Sequence, residues 1–133
     1  MLNVSLINFD YHKNNDGDLS VFESRNHNVP FQILRVFNVR ANKGSIRGRH
    51  AHKECSQLLI CSNGEIEVLC YNGVESEKFL LSQPNIGLLI KPGIWAEQKY
   101  LCKNSTLTVL CDRFFDENDY LRDKITFLNY LGL

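Results

Sequence analysis

The chain has no surplus of charge of either sign, no paired-cysteine motif, no long apolar run and few histidines. Its 133 residues set 15 Lys and Arg against 15 Asp and Glu. Nothing global therefore draws it to nucleic acid or to an anionic membrane, and any anion it binds must be met by a local cluster. Five cysteines, Cys55, Cys61, Cys70, Cys102 and Cys111, form no C-x-x-C pair, and Cys61, Cys70 and Cys111 lie in apolar strand-like runs. Thiols in that pattern read as reduced, small hydrophobes, which argues against a disulfide scaffold and suits the cytoplasm. No apolar stretch approaches the roughly 18 residues of a membrane helix, and the opening MLNVSLINFD has no basic segment before an apolar core. A soluble cytoplasmic protein is expected. Its 44% hydrophobic content suits one domain over residues 1–133 that buries roughly two-thirds of its unfolded surface.

What is present is mostly of period two. In GEIEVLCYNG, Ile66, Val68 and Cys70 oppose Glu65, Glu67 and Leu69; in STLTVLC, Leu107, Val109 and Cys111 oppose Thr106 and Thr108. Asn-Gly at Asn63-Gly64 and at Asn72-Gly73, each flanked by such runs, predicts two tight hairpins and hence a meander. With DGDLSVFES, FQILRVFNVR, SQLLICS, EKFLL and NIGLLIKPGIWAEQKY, the chain reads as about nine short strands of an antiparallel sandwich or barrel. Only the end differs. From Asn118, Leu121, Ile125 and Leu128 fall at i, i+4, i+7 behind a cap at Asp116 or Asn118, predicting one C-terminal helix with a bend or short first turn near Tyr120.

The chain has four histidines, and two of them stand one residue apart in GSIRGRHAHKECSQ. On an extended strand His50 and His52 face the same side, with Gly48 leaving room beside them. Buried imidazoles need partners, so a pair on an inner wall is a functional candidate. His12 and His27 lie in polar, loop-like stretches and carry no such signal.

The spacing Gly44, His50, His52, Gln57, Gly64 resembles the first cupin motif, G-x5-H-x-H-x4-E-x6-G, with glutamine in place of glutamate. The second motif is half kept: GLLIKPGIWAEQ retains Gly87, Pro92 and Gly93, but Trp95 and Glu97 stand near the place of its histidine. This resemblance implies an all-β cupin, a double-stranded β-helix or jelly-roll barrel, with a short C-terminal helix. A cupin metal site draws on three histidines and a glutamate, and two of these ligands are gone, so neither metal nor other cofactor is expected. Glu97 as a third ligand would give the two-histidine, one-carboxylate iron site of a cupin oxygenase, which is the metal-dependent alternative.

Over nearly its full length, through RGRHAHK, PGIW and DENDYLRD, the chain is similar to the sugar 3,4-ketoisomerases. These are metal-independent cupins that act on dTDP-4-dehydro-6-deoxy-D-glucose in making 3-amino-3,6-dideoxy sugars, among them O-antigen and lipopolysaccharide components. The resemblance implies a homodimer, with or without exchange of an N-terminal strand. It also implies an enediol mechanism in which a base removes the C3 proton and a proton returns to C4. His52 is read as the base at carbon and His50 as the relay for the oxygen-borne proton, with the reverse order left open. Gln57 would orient an imidazole or bond the sugar; Arg35, Arg47 and Lys53 would hold the diphosphate, with Arg40 and Arg49 in reserve. For Arg47 and Lys53 to reach a ligand beside His50, the strand must bend or a second subunit must contribute. Phe37 would stack but, lacking the hydroxyl of many relatives, would not donate. Trp95 would close the pocket or sit in the core, and Asp119 would pair with Arg122. A sugar-nucleotide-binding cupin without turnover is the non-catalytic alternative.

Overall fold

A computed structural model describes residues 1–133. In chain order the strands are β1 (Val4–Asn8), β2 (Asp10–Asn14), β3 (Gly17–Val21), β4 (Arg35–Ala41), β5 (Ile46–His52), β6 (Gln57–Asn63), β7 (Ile66–Tyr71), β8 (Ser76–Leu81), β9 (Ile86–Ile90), β10 (Trp95–Tyr100), β11 (Ser105–Cys111) and the two-residue β12 (Tyr120–Leu121). A 3-10 turn (Glu117–Asp119) precedes β12, and α1 (Lys124–Leu131) follows it. Two five-stranded antiparallel sheets, β1-β9-β6-β11-β4 and β12-β5-β10-β7-β8, face each other as a jelly-roll sandwich. The hairpin β2–β3 stands apart from both.

The period-two pattern places the core. Ile66, Val68 and Cys70 of β7 and Leu107, Val109 and Cys111 of β11 turn inward and meet Leu59, Leu88 and Tyr100 between the sheets. The outer face of each sheet is covered as well. Phe22, Phe31 and Ile33 of the long connection pack over Leu58, Ile60 and Leu110 on one side, and α1 lays Phe127 over Ala51, Trp95 and Leu121 on the other. All five cysteines are free, four of them buried.

Two expectations from the sequence are corrected. Asn63-Gly64 is not a hairpin: β6 pairs with β9 and β11, β7 with β8 and β10, so this corner carries the chain from one sheet to the other. Gly64 has φ +80°, and a Cβ there would press on Ser105, whose hydroxyl accepts from Glu65 and Cys102 N–H groups and fixes the corner. Asn72-Gly73 does join paired strands, in a loop held by the Asn72 side chain, which accepts from Val74 and Glu75. The meander therefore does not form.

The C-terminal helix begins later than its apolar spacing indicates. Asp116 caps only the 3-10 turn; the chain then extends through β12, and Asp123 caps α1 by accepting from Thr126 N–H. Leu121 is buried as a strand residue and Ile125 faces solvent, so Phe127, which the i, i+4, i+7 reading passed over, is the anchor. Gly132 in the left-handed conformation ends the helix. Replacing Phe127 with alanine is expected to cost about 3–5 kcal/mol, read from urea unfolding, whereas Ile125→Ala should stay within about 0.5 kcal/mol. Equal effects would contradict this packing.

Candidate active site

The strand β5 carries the histidines, and it is not regular. Gly48 and Arg49 both have positive φ, +84° and +60°, and the register against β10 jumps from Ala96–His50 to Glu97–Gly48, so Arg49 is an extra, bulged residue. A non-glycine residue in this region costs about 1–2 kcal/mol, and its persistence here marks a fold that over-determines it. A Cβ at Gly48 would collide with the Gln98 carboxamide. Of the two routes the sequence left open, a bend or a second subunit, the bulge supplies the bend for Arg47, which lines the same cavity as His50, but not for Lys53.

Arg47 and His50 line one cavity of about 290 Å³ with Arg35, Phe37, Gln57 and Gln98. Tyr100, Phe115, Tyr120 and Arg122 complete its polar and aromatic wall, over a floor of Leu59, Leu107 and Val109. The cavity opens between the β4 and β12 edges of the sandwich. At its rim the Arg35 guanidinium lies 4.5 Å from the Phe37 ring centroid and 5.1 Å from that of Phe115, and donates to the Tyr120 hydroxyl at 3.2 Å.

His52 lies behind His50, the ring centroids 5.0 Å apart and the planes nearly perpendicular. Tyr120 covers both rings at 5.0 and 4.4 Å. The tail brings this partner in: β12 pairs with β5, Tyr120 against His52, and the preceding turn sets Asp119 Oδ2 2.8 Å from His52 Nδ1. Asp119 also accepts from the backbone N–H of Glu54 at 2.7 Å and of Cys55 at 3.3 Å. The expected Asp119–Arg122 pair does not form. Arg122 instead binds Glu117 through two bonds of 2.6 and 2.9 Å, because the extended β12 between them sends the two side chains different ways.

Burial, followed by the neighbouring His52 charge, depresses His50 to about 4. Burial also depresses His52, opposed by the Asp119 hydrogen bond and charge. At neutral pH His50 is an uncharged base facing the cavity, and His52 is oriented through Nδ1 by a carboxylate. Such an arrangement can accept a proton from carbon and stabilise the imidazolium that results.

The other sequence candidates divide. Arg35, Phe37, Arg47 and Gln57 reach the cavity wall, Gln57 also donating to Cys111 Sγ at 3.5 Å. Lys53 points outward, 5.9 Å from the Tyr130 ring, and Arg40 and Arg49 are exposed. Trp95 and Glu97 alternate away from Ala96 and Gln98 to the outer face of the sheet. There Trp95 is core beneath α1, and its Nε1 donates to Glu97 Oε2 at 2.9 Å. Glu97 therefore does not join the histidines in an iron-type triad. The carboxylate near them is Asp119, which with His52 and Cys55 places three metal-capable atoms within 4.8 Å. One of these separations is the His52–Asp119 hydrogen bond of 2.8 Å.

Although DENDYLRD stands out in the sequence, nothing there shows Tyr120 and Arg122 as cavity groups or Asp119 as the partner of His52. A two-residue strand has no periodicity to detect. Gln98, Tyr100 and Phe115 were missed too; the inward alternation Ala96, Gln98, Tyr100 could have found the first two.

Comparison with known proteins bears on the same residues. The family model "FdtA: WxcM-like, C-terminal" matches residues 2–132. The TDP-4-oxo-6-deoxy-alpha-D-glucose-3,4-oxoisomerase of Aneurinibacillus thermoaerophilus is 35% identical over 128 residues, 96% of this chain and 91% of that protein. A 3,4-ketoisomerase from Helicobacter canadensis superposes with a TM-score of 0.93 at 34% identity, with both chains fully covered. A histidine-to-asparagine mutant of the 3,4-ketoisomerase QdtA from Thermoanaerobacterium thermosaccharolyticum, solved with TDP-4-keto-6-deoxyglucose, gives 0.93 at 31% identity over 98% of this chain and 94% of that one.

The low His50 value has a consequence for stability. Between about pH 6.5 and 4 the unfolded chain binds a proton at this position that the folded chain refuses. Stability is therefore complete above about 6.5 and falls as the pH drops toward 4, by up to about 3 kcal/mol for this group. Urea midpoints at pH 7.5 and 4.5 should show that loss, and His50→Asn should reduce it. An unchanged pH slope in the variant would contradict the depressed value.

Proposed function

The chain belongs to the FdtA family of WxcM-like domains, the sugar 3,4-ketoisomerases, and from that membership we propose that it moves the keto group of dTDP-4-dehydro-6-deoxy-D-glucose from C4 to C3 by histidine acid–base catalysis. The observation that carries this reading is the His50 imidazole on the cavity wall, backed by the His52–Asp119 pair. His50 is the histidine that borders the main cavity, so the geometry favours it as the base at carbon and His52 behind it as the proton store. This is the reverse of the order first read from the sequence.

His50 removes the C3 proton as the electron pair forms the C3–C4 double bond of an enediol and the C4 carbonyl oxygen takes up a proton. Collapse of the enediol from O3, which loses its proton, rebuilds a carbonyl at C3 while C4 receives a proton. Atoms balance and no redox partner is needed. Gln57 and Tyr120 are placed to bond the sugar oxygens. Arg35 and Arg47 offer the forked donors a diphosphate needs, and Arg122, its fork held by Glu117, adds positive charge to the wall. The cavity is at the small end for ligand sites, so the hexose fits within it and the nucleotide runs over the rim, where Phe115 is 55% exposed and free to stack.

The 3-keto product suits amination at C3, which supports a place in making 3-amino-3,6-dideoxy sugars. Buried free thiols fit a reducing cytoplasm. The open edges β1 and β4, with Leu6 and Val36 exposed upon them, fit a homodimer, and a stable monomer at micromolar concentration in sedimentation would contradict that assembly.

Chelator-treated protein given the 4-keto sugar nucleotide in deuterated water should yield the 3-keto isomer with deuterium at carbon, followed by NMR. His50→Asn and His52→Asn should each lower turnover by about 10²-fold or more, and the double variant little further, since the two act as a unit. Both should bind TDP with near-parent affinity. Turnover restored only by iron, or folded variants working at the parent rate, would overturn the reading.

A further inference from the structure

Beside the histidine pair lies a second, narrower chamber that shares His50, Gln57 and Gln98 with the first cavity and is bordered also by His52, Ala96 and the exposed Lys91. Its volume of about 10 Å³ is at the lower limit for holding one water. Three buried side-chain polar atoms in the molecule lack a protein partner, and two of them are Nδ1 of His50 and Nε2 of His52. Native proteins rarely leave such atoms unpaired. Both rings that carry them border this chamber. The rings themselves make no direct hydrogen bond: their centroids are 5.0 Å apart at 89°.

We propose that the chamber holds one ordered water bridging His50 Nδ1 and His52 Nε2, and that this water passes the Nδ1 proton of His50 on to the His52–Asp119 pair when His50 Nε2 takes up the substrate's proton. The proposal rests on the isomerase reading and gives that site its proton path. Asp119 accepts from Nδ1–H of His52, which leaves Nε2 as an acceptor. Nδ1–H of His50 then donates to the water and the water donates to Nε2 of His52, leaving His50 Nε2 as the free base toward the cavity. When His50 Nε2 takes the C3 proton, its Nδ1 proton passes to the water oxygen as a water proton passes to His52 Nε2. Water is regenerated, His50 is neutral again, and the charge rests on an imidazolium beside Asp119. Reversal restores Nδ1–H of His50 and frees its Nε2 proton for C4, and exchange of that Nε2 proton with solvent while the enediol persists is what brings deuterium to carbon. The side chains of Gln57 and Gln98 offer the water its remaining bonds.

Ala96 borders the chamber and not the main cavity, and a larger β-branched side chain suits its strand. Ala96→Val should fill the chamber. It should lower kcat about tenfold and shrink the solvent deuterium isotope effect on kcat, while KM and TDP affinity stay within about twofold; since Ala96 packs in the core, the melting temperature should fall by a few degrees. Ala96→Gly keeps the space and should retain near-parent kcat. In the parent, the rate against deuterium fraction should bow, as for more than one proton in flight, and a high-resolution crystal structure should place a water within hydrogen-bond distance of both nitrogens. A dry chamber in an active parent, a linear proton inventory, or a folded Ala96→Val with parent kcat and isotope effect would each overturn the relay and leave the isomerase reading standing. A parent without turnover would overturn both. If the valine variant does not fold, the inventory and the crystallographic water decide.

Discussion

One carboxylate ties the end of the chain to the strand that carries the chemistry. Asp119 accepts from His52 Nδ1 and from the backbone N–H groups of Glu54 and Cys55, and its own carbonyl accepts from Lys53 N–H at 2.9 Å. Four bonds at one residue turn the stretch after β5 around it. Removing the carboxylate would leave an imidazole and two amides short of partners, and each such loss in a buried setting costs about 1–3 kcal/mol. The same knot fixes the His52 tautomer and lays Tyr120 over both imidazoles. Structure and chemistry therefore share a single residue, and the rest of the site is arranged around where it sits.

The strand that Asp119 grips is bent by its own sequence. Glycine at 48 and the bulged Arg49 make Arg47 and His50 neighbours across an odd spacing, which a flat strand would put on opposite faces. Beyond the bulge the alternation is regular, so His50 and His52 point in while Ala51 points out to meet Trp95 and Phe127. One cavity arginine, a basic pair and a seat for the helix thus come from seven residues of one strand.

Much of this was legible beforehand. The inward rows of β7 and β11, the shared face of His50 and His52, the need for a bend before Arg47 to reach them and the β-sandwich itself follow from period-two patterning and motif spacing. What was not legible depends on long-range pairing. Asn63-Gly64 has the local signature of a hairpin, yet where a strand goes after a tight corner is decided by which sheet has room for it. Trp95 and Glu97 looked like pocket residues because of their place in a motif, but alternation from Ala96 puts them on the other face. Ile125 fits a helical stripe that never forms, since Tyr120 and Leu121 gain more by pairing with β5. Asp119 and Arg122 were near enough in sequence to suggest each other and far enough in space to find different partners.

The sheet-to-sheet corner at Gly64 shapes how the molecule comes into being. Because the strands from β4 to β12, the β7–β8 hairpin apart, alternate between the two sheets, neither sheet is finished until late in the chain, and contacts are dominated by distant residues, the regime of slow folding. The cavity is later still: the Arg35–Tyr120 bond joins residues 85 apart, and the carboxylate that sets His52 arrives 67 residues after it. On a ribosome the histidines would emerge well before the tail that orients them, so a nascent or clipped chain ending before Asp119 would hold most of the sandwich and none of the finished proton machinery.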